Sequence, residues 1–239
     1  MCGRYVSPDQ AAIERAWHIG RTTSNPFKQR YNVAPTTQIP ILRARPGPDA
    51  GFALTEARWG LIPPWWKEAK PPQSAFNARA EDAASKPMWR QAYRHARCLV
   101  PAVGYYEWRT TETVDRATGE VRRYKQPYFI HPSDGRLICF AGLMSAYRAG
   151  DGAVELSCAI LTRTASGASS KIHDRMPVVL PEAELERWIS PDVTKSEDVA
   201  SMLEHARDEF QYYPVSTRIN AAKGDDEDLM RPLQSEHSD

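Results

Sequence analysis

The sequence predicts an α+β fold: a single domain with a curved, mainly antiparallel β-sheet, a pseudo-barrel, flanked by short helices. Three observations carry this. Strand-like runs outnumber helical ones. The two kinds are interspersed without the strict strand–helix–strand alternation of a parallel sheet. No internal repeat appears in the 239 residues, and no linker separates two regimes of composition. One domain is therefore expected over residues 2–222, followed by a disordered acidic tail from Lys223 onward.

The elements follow in order. Ser7-Pro8 reads as an N-cap with Pro at the first helical position, opening a helix that runs to Ile19 and ends at Gly20. Residues 22–35 are polar and irregular. Gln38–Arg43 and Phe52–Trp59 read as strands joined by a turn over residues 45–49, and Pro40 points to an edge position for the first. Residues 61–72 crowd prolines around Trp65-Trp66 and cannot form a regular element. Ser85 and Pro87 resemble a second helix start, ending near His95. Arg97–Pro101 and Val103–Arg109 are strand-like, residues 110–119 a polar hairpin insert. Tyr128–His131, Leu137–Ala146 and Val154–Thr162 read as strands. A small-residue loop, Ser166–Ser170, leads to His173, and Val178–Leu180 is a strand. Pro181–Ile189 and Ser196–Asp208 look helical, and Val215–Thr217 closes the domain as a short strand.

Composition narrows the function. The chain is 41% hydrophobic and 26% charged, with a net charge of +1. No global positive field advertises nucleic acid, so anion binding must come from a local patch. The 19 prolines and 7 tryptophans imply many loops and some aromatic surface. Cys2, Cys98, Cys139 and Cys158 are scattered without CxxC or Cys/His spacing, so neither a zinc site nor another metal or cofactor is expected. The last three lie in apolar runs and read as buried thiols. No run approaches the ~18 apolar residues of a membrane span. The expected setting is the reducing cytoplasm, without membrane contact.

Four groups stand out chemically. Cys2 follows the initiator Met, and its small side chain permits removal of that Met. The product would hold a free α-amine and a thiol, with ordinary pKa values of ~8 and ~8.5. That pair can condense with an aldehyde to a Schiff base and then close as a thiazolidine, which an internal cysteine cannot do. The alternative is an incidental cysteine on a frayed terminus. Glu107, within Gly104-Tyr105-Tyr106-Glu107-Trp108, is either an aromatic-flanked acid/base group or an outward-facing strand residue. His173 is either a proton shuttle or a loop histidine bonded to backbone. Asn77 and Arg79, if extended, share one face and suit gripping an anionic oxygen, unless both are ordinary surface residues.

Single-stranded nucleic acid is met by cations and flat apolar platforms. Arg4, Arg79, Arg163 and Arg175 are candidates for the first. Pro35, Trp65 and Trp66 are candidates for the second. Met88-Trp89, at a helix start, has the character of a wedge. Each of these is also an ordinary packing or surface residue.

The ordered motifs decide between these readings. They are Met-Cys-Gly-Arg-Tyr at the terminus, Tyr31-Asn-Val-Ala-Pro35, Arg58-Trp-Gly-Leu-Ile-Pro-Pro-Trp65, Phe76-Asn-Ala-Arg-Ala-Glu81, Arg97-Cys-Leu-Val-Pro-Ala-Val-Gly-Tyr-Tyr-Glu-Trp108, Phe140-Ala-Gly-Leu143 and Ile172-His-Asp-Arg-Met-Pro-Val-Val-Leu180. Over about residues 2–220 this order resembles the SRAP family of SOS-response-associated, abasic-site processing proteins. Two departures are Val103, where the family usually has a small polar or acidic residue, and Tyr105 in place of a commoner Phe. The resemblance implies that Cys2 is the covalent nucleophile, that Asn77 positions the terminal Cys or a sugar hydroxyl, that Glu107 is the general acid/base and that His173 assists proton transfer. It implies phosphate contacts by Arg4, Arg79 and Arg163, a hydroxyl contact by Thr162, a strand path lined by Pro35, Trp65 and Trp66, and a duplex junction at Met88-Trp89. The implied partner is single-stranded DNA containing abasic sites, including single-strand/duplex junctions. The protein is expected to be a monomer, nucleoid-associated when bound. Two rivals remain: a cysteine peptidase that removes its own first residue, and a non-covalent single-strand binder.

Overall fold

The structure is a computed structural model that describes residues 2–20, 27–47, 51–68, 71–114, 118–150, 152–221 and 224–233. In chain order the elements are β1 (Arg4–Ser7), α1 (Gln10–Ala16), β2 (Arg30–Val33), β3 (Gln38–Ala44), β4 (Phe52–Trp59), β5 (Asn77–Arg79), α2 (Ala80–Ala83), α3 (Arg90–His95), β6 (Arg97–Ala102), β7 (Gly104–Val114), β8 (Val121–Pro132), β9 (Ile138–Arg148), β10 (Val154–Thr164), β11 (Arg175–Pro177), β12 (Val179–Leu180), α4 (Glu182–Ile189), α5 (Ser196–Glu204) and β13 (Phe210–Pro214). Short 3₁₀ turns occupy Gly167–Lys171, Thr217–Asn220 and Glu227–Met230.

Two sheets result. One runs β13-β8-β7-β1-β2, and the other β11-β10-β4-β3-β6-β9-β12, with β5 on β10. An added β9–β10 pairing closes β10, β4, β3, β6 and β9 into a ring, the pseudo-barrel the sequence predicts. Most ladders are antiparallel, and β10 accepts β4 and β5 in parallel.

Strand alternation sorts the core. Tyr5, Tyr105 and Ile130 of the first sheet meet Ile41, Trp59, Val100, Phe140 and Ile160 of the second in a layer between the sheets. Their neighbours Val6, Tyr106 and Phe129 turn the other way, onto Val215, Ile219 and Leu229. On the ring's far face Leu42, Leu99, Ala141 and Leu161 pack against the helices through Ile13, Tyr93, Leu185, Trp188 and Met202.

Several boundaries move for identifiable reasons. The first helix is capped by Asp9, whose Oδ1 accepts from the Ala12 N–H at 2.7 Å, because Ser7 is drawn into β1 opposite Arg30. The second helix begins at Arg90 rather than at Ser85-Pro87, after a turn in which Lys86 O accepts from Trp89 and Arg90. Pro40 is not on an edge strand: β3 lies between β4 and β6. The proline is tolerated because β3 and β6 share one register pair, Leu42 with Leu99, two residues away. The last strand is β13, and Val215 instead bridges Pro232.

The expected disordered tail does not hold for residues 224–233. Asp225 Oδ1 accepts from the backbone N–H groups of Tyr31 and, at 3.0 Å, Asn32. It thereby caps the exposed edge of β2, and Leu229 is fully buried. An acidic segment orders here because an edge strand offers unpaired donors. Lys223 and residues 234–239 lie outside the described residues, as do residues 22–26, 48–49 and 115–117 of the predicted loops.

Candidate active site

The site is built where β1 runs out. Its register against β7 ends at Arg4 opposite Tyr106, so the residues before Arg4 continue antiparallel toward Glu107. Cys2 is 4% exposed and Glu107 2%. The Cys2 thiol and the Glu107 carboxylate are hydrogen-bonded. Burial, then the Glu107 charge and that hydrogen bond, push the Cys2 thiol well above its ordinary pKa. At neutral pH it is therefore a thiol, and the neighbouring carboxylate is placed to take its proton.

Asn77 holds the same residue from the other side. Asn77 Nδ2 donates to Cys2 O at 2.9 Å. Its Oδ1 is buried with no donor against it among the described residues. Asn77 gets there because β5 lies parallel on β10, with Asn77 opposite Ile160. The Asn-Ala-Arg stretch is thus extended, with Ala78 buried and Arg79 exposed.

His173 shares with Glu107, Trp108 and Asn220 a cleft of about 560 Å³. Its Nδ1 accepts from the Arg175 N–H at 3.0 Å and lies 2.7 Å from Asp174 Oδ1. One nitrogen cannot accept from an N–H and donate to a carboxylate at once. The backbone donor has no other outlet, whereas Asp174 is 84% exposed and hydrated. We therefore place the neutral imidazole's proton on Nε2.

Two supports were not anticipated. Tyr105 OH and Ser169 Oγ are 2.8 Å apart, and burial, with Cys2 beside it, pushes the Tyr105 phenol upward. Tyr105 precedes Glu107 by two strand positions, so strand periodicity already put them on one face. Ser169 sits on the 3₁₀ turn begun by Gly167, where φ is +55° and a Cβ would lie 2.7 Å from Asp208 O. The Ser169 carbonyl accepts from the His173 N–H at 3.1 Å. Secondly, Arg175 donates to both oxygens of Glu81, at 2.7 and 2.9 Å, and to Thr162 O at 2.7 Å. This fork ties the segment carrying His173 to that carrying Asn77, and Arg175 lowers the Glu81 pKa to about 2.

The remaining candidates divide. Arg4 donates to Asn32 Oδ1 and Ile219 O, and Arg163 to the carbonyls of Ala206 and Arg207. Each arginine thus gives one guanidinium nitrogen to the protein, Nη1 in Arg4 and Nη2 in Arg163. Thr162 is buried, its hydroxyl 3.5 Å from Ala78 O. Trp89 is corrected: it is 8% exposed and packs in the helix-side core. Its neighbour Met88 lines an apolar groove with Trp65 and Pro87. Trp65 is 54% exposed, its ring 6.0 Å from that of Trp66. Pro35 is half-buried in the β2–β3 turn. Among the described residues, neither Pro35 nor Trp65, Trp66 or Trp89 lines the cleft of Glu107 and His173.

A buried thiol bonded to a carboxylate, an amide fixing its backbone and a histidine in the adjoining cleft come together on a mixed β-sheet scaffold. The chain belongs to the SRAP family, described as SOS response associated peptidase, whose family model matches residues 1–222. It is 31% identical over 238 residues to the abasic site processing protein YoaM of Bacillus subtilis, covering 96% of this chain and 97% of that one. It is 32% identical over 207 residues to the abasic site processing protein YedK of Escherichia coli, covering 85% of each. A solved structure of a phage-related protein from Bordetella bronchiseptica aligns with a TM-score of 0.65 at 29% identity, over 90% of this chain and 95% of that one. A protein from Bacteroides thetaiotaomicron shares the fold at a TM-score of 0.73 and 22% identity, over 97% and 100% of the two chains.

Proposed function

We propose that this protein processes abasic sites in single-stranded DNA by capturing the sugar covalently through Cys2. The observation that carries this is the Cys2 thiol buried against Glu107 while Asn77 grips the Cys2 carbonyl. The fact that relatives bear the name abasic site processing protein supplies the substrate.

The chemistry needs Met1 removed, because Met1 makes the Cys2 nitrogen an amide. The abasic sugar equilibrates with a ring-opened aldehyde, and Glu107 favours opening by taking the proton of the anomeric hydroxyl and passing one to the ring oxygen. The freed amine attacks C1′, water leaves, and an imine forms. Sulfur then adds to the same carbon. The thiol proton passes through Glu107 to the imine nitrogen, which becomes the ring N–H of a thiazolidine. Asn77 Oδ1 accepts from the new amine, and the Nε2–H of His173 serves the sugar oxygen or its 3′ phosphate. Ring closure competes with β-elimination from the imine, so the strand is shielded from cleavage. Single-stranded DNA next to a duplex end is the preferred form, with Met88 at the junction, and the protein works as a monomer.

Denaturing gels with abasic and intact oligonucleotides test this. The parent protein should form an adduct that survives denaturation with the abasic strand alone. Cys2→Ala should abolish it, and Cys2→Ser should leave a labile imine. An undiminished adduct from Cys2→Ala would overturn the assignment. A second activity is self-removal of Met1, for which the Cys2 thiol and the adjacent Glu107 carboxylate supply a nucleophile and a base. Intact mass separates the two activities. Retention of Met1 in Glu107→Gln but not in the parent favours self-processing.

A further inference from the structure

We infer that Lys125 holds the backbone phosphate next to the captured sugar, an inference that rests on the reading above. Any cleft that takes an abasic nucleotide must also take the phosphodiesters on either side of it. Arg4 and Arg163 each have one guanidinium nitrogen engaged by the protein, on Asn32 and Ile219 and on Ala206 and Arg207. Arg175 is held by Glu81 and Thr162. The cleft that contains Glu107 and His173 is nevertheless lined by one ammonium, that of Lys125, with Thr110 beside it.

Strand register explains how it arrives. On the β7–β8 hairpin, Lys125 pairs with Thr110, and Trp108 lies two positions back along the same face. The hairpin extends past the end of β1, so this face borders the open edge of β7 where Glu107 sits. Further out, the next cation on that face, Arg123, is bonded to Glu112 at 2.7 Å, and Arg122 on the opposite face is bonded to Glu120 at 3.1 Å. Lys125 is exposed, and no carboxylate is paired with it among the described ion pairs. An ammonium on a flexible stem reaches a phosphate as a point charge, and the Thr110 hydroxyl adds a donor to the same oxygen.

The test measures non-covalent binding of an intact single-stranded oligonucleotide across a salt series, and adduct formation with an abasic one. Lys125→Ala should weaken binding several-fold at low salt. It should also reduce the slope of log K against log salt by about 0.7, the value of one single-strand phosphate contact. Lys125→Arg should restore the slope. Arg123→Ala, with its charge already paired, should leave it unchanged. For adduct formation, Lys125→Ala should raise the half-saturating DNA concentration and leave the rate at saturation intact. An unchanged slope in Lys125→Ala overturns the inference, as does an equal loss in Arg123→Ala, which would indicate diffuse attraction by the hairpin. A slope change in Lys125→Ala without any adduct from the parent protein would leave the phosphate contact standing and sink the covalent reading instead.

Discussion

Arg97 and Glu107 are both charged, and both are nearly sealed from solvent, at 4% and 2% exposure, yet their surroundings are opposite in kind. The Arg97 guanidinium has five N–H groups, and each meets a carbonyl: those of Trp188, Tyr93, Arg94, Ser190 and Val193. These are the C-terminal carbonyls of α3 and α4 and the segments just after them, which no helix bond satisfies. Burial lowers the Arg97 pKa to about 10, still high enough to stay charged at neutral pH. Glu107 instead faces a buried thiol, and beside them Asn77 keeps an unengaged oxygen. A saturated buried charge is a joint between elements. A buried charge set against a thiol and an idle acceptor has hydrogen-bonding capacity that the fold itself does not use.

The sharpest way to break this contrast is Arg97→Met. Several helix-end carbonyls would lose their donor at once, at about 1–3 kcal/mol for each left buried and unpaired, so a total loss of at least about 3 kcal/mol is expected. A urea midpoint almost unmoved would show that Arg97 is no joint. Glu107→Gln should do the reverse: similar stability, but adduct formation slowed about 100-fold, as for a general acid/base. The same change removes the charge that helps raise the Cys2 thiol, so thiol alkylation should begin at a lower pH than in the parent. If it does not, the carboxylate is not what faces the sulfur. Asn77→Ala removes one hydrogen bond, worth about 1 kcal/mol. Adduct formation should fall by about fivefold with the melting temperature little changed.

The smallest effect concerns the fork between Glu81 and Arg175. The folded pKa of Glu81, about 2, lies below the ordinary 4.5. A depressed carboxylate contributes stability that is fully present above the unfolded value and is lost as pH falls from there through 2. Glu81 is 49% exposed, and solvent screening limits its contribution to about 1 kcal/mol. Glu81→Gln should therefore cost about that much at pH 7 and nothing near pH 2. A constant deficit across that range would mean the pair acts through packing rather than charge.

Much of the site was visible before any fold. Cys2 stands out because its position gives it chemistry that no internal cysteine has. The condition under which Asn77 and Arg79 share a face, an extended backbone, is met where β5 pairs with β10. Tyr105 was within reach of the same argument, two places before Glu107, but a tyrosine among tyrosines looks like core. The cations were the poorest guide. Arg4, Arg163 and Arg175 are identical as letters to a phosphate-binding arginine, yet some of their donors are taken by residues far away in sequence. The same holds for Trp89, which a helix start suggested as a surface wedge and which the core absorbs. Acidity in the tail suggested disorder, because local composition says nothing about the open donors of β2 that Asp225 meets.

Alternation and short-range chemistry are local properties, so the chain alone was enough to specify several of its strands, its α+β character and a cysteine set apart by its position. Which charges are spent and which are free depends on partners up to 215 residues apart, as between Arg4 and Ile219. Only the folded arrangement settles that, because a hydrogen-bond donor has one place to go and the choice is made in space.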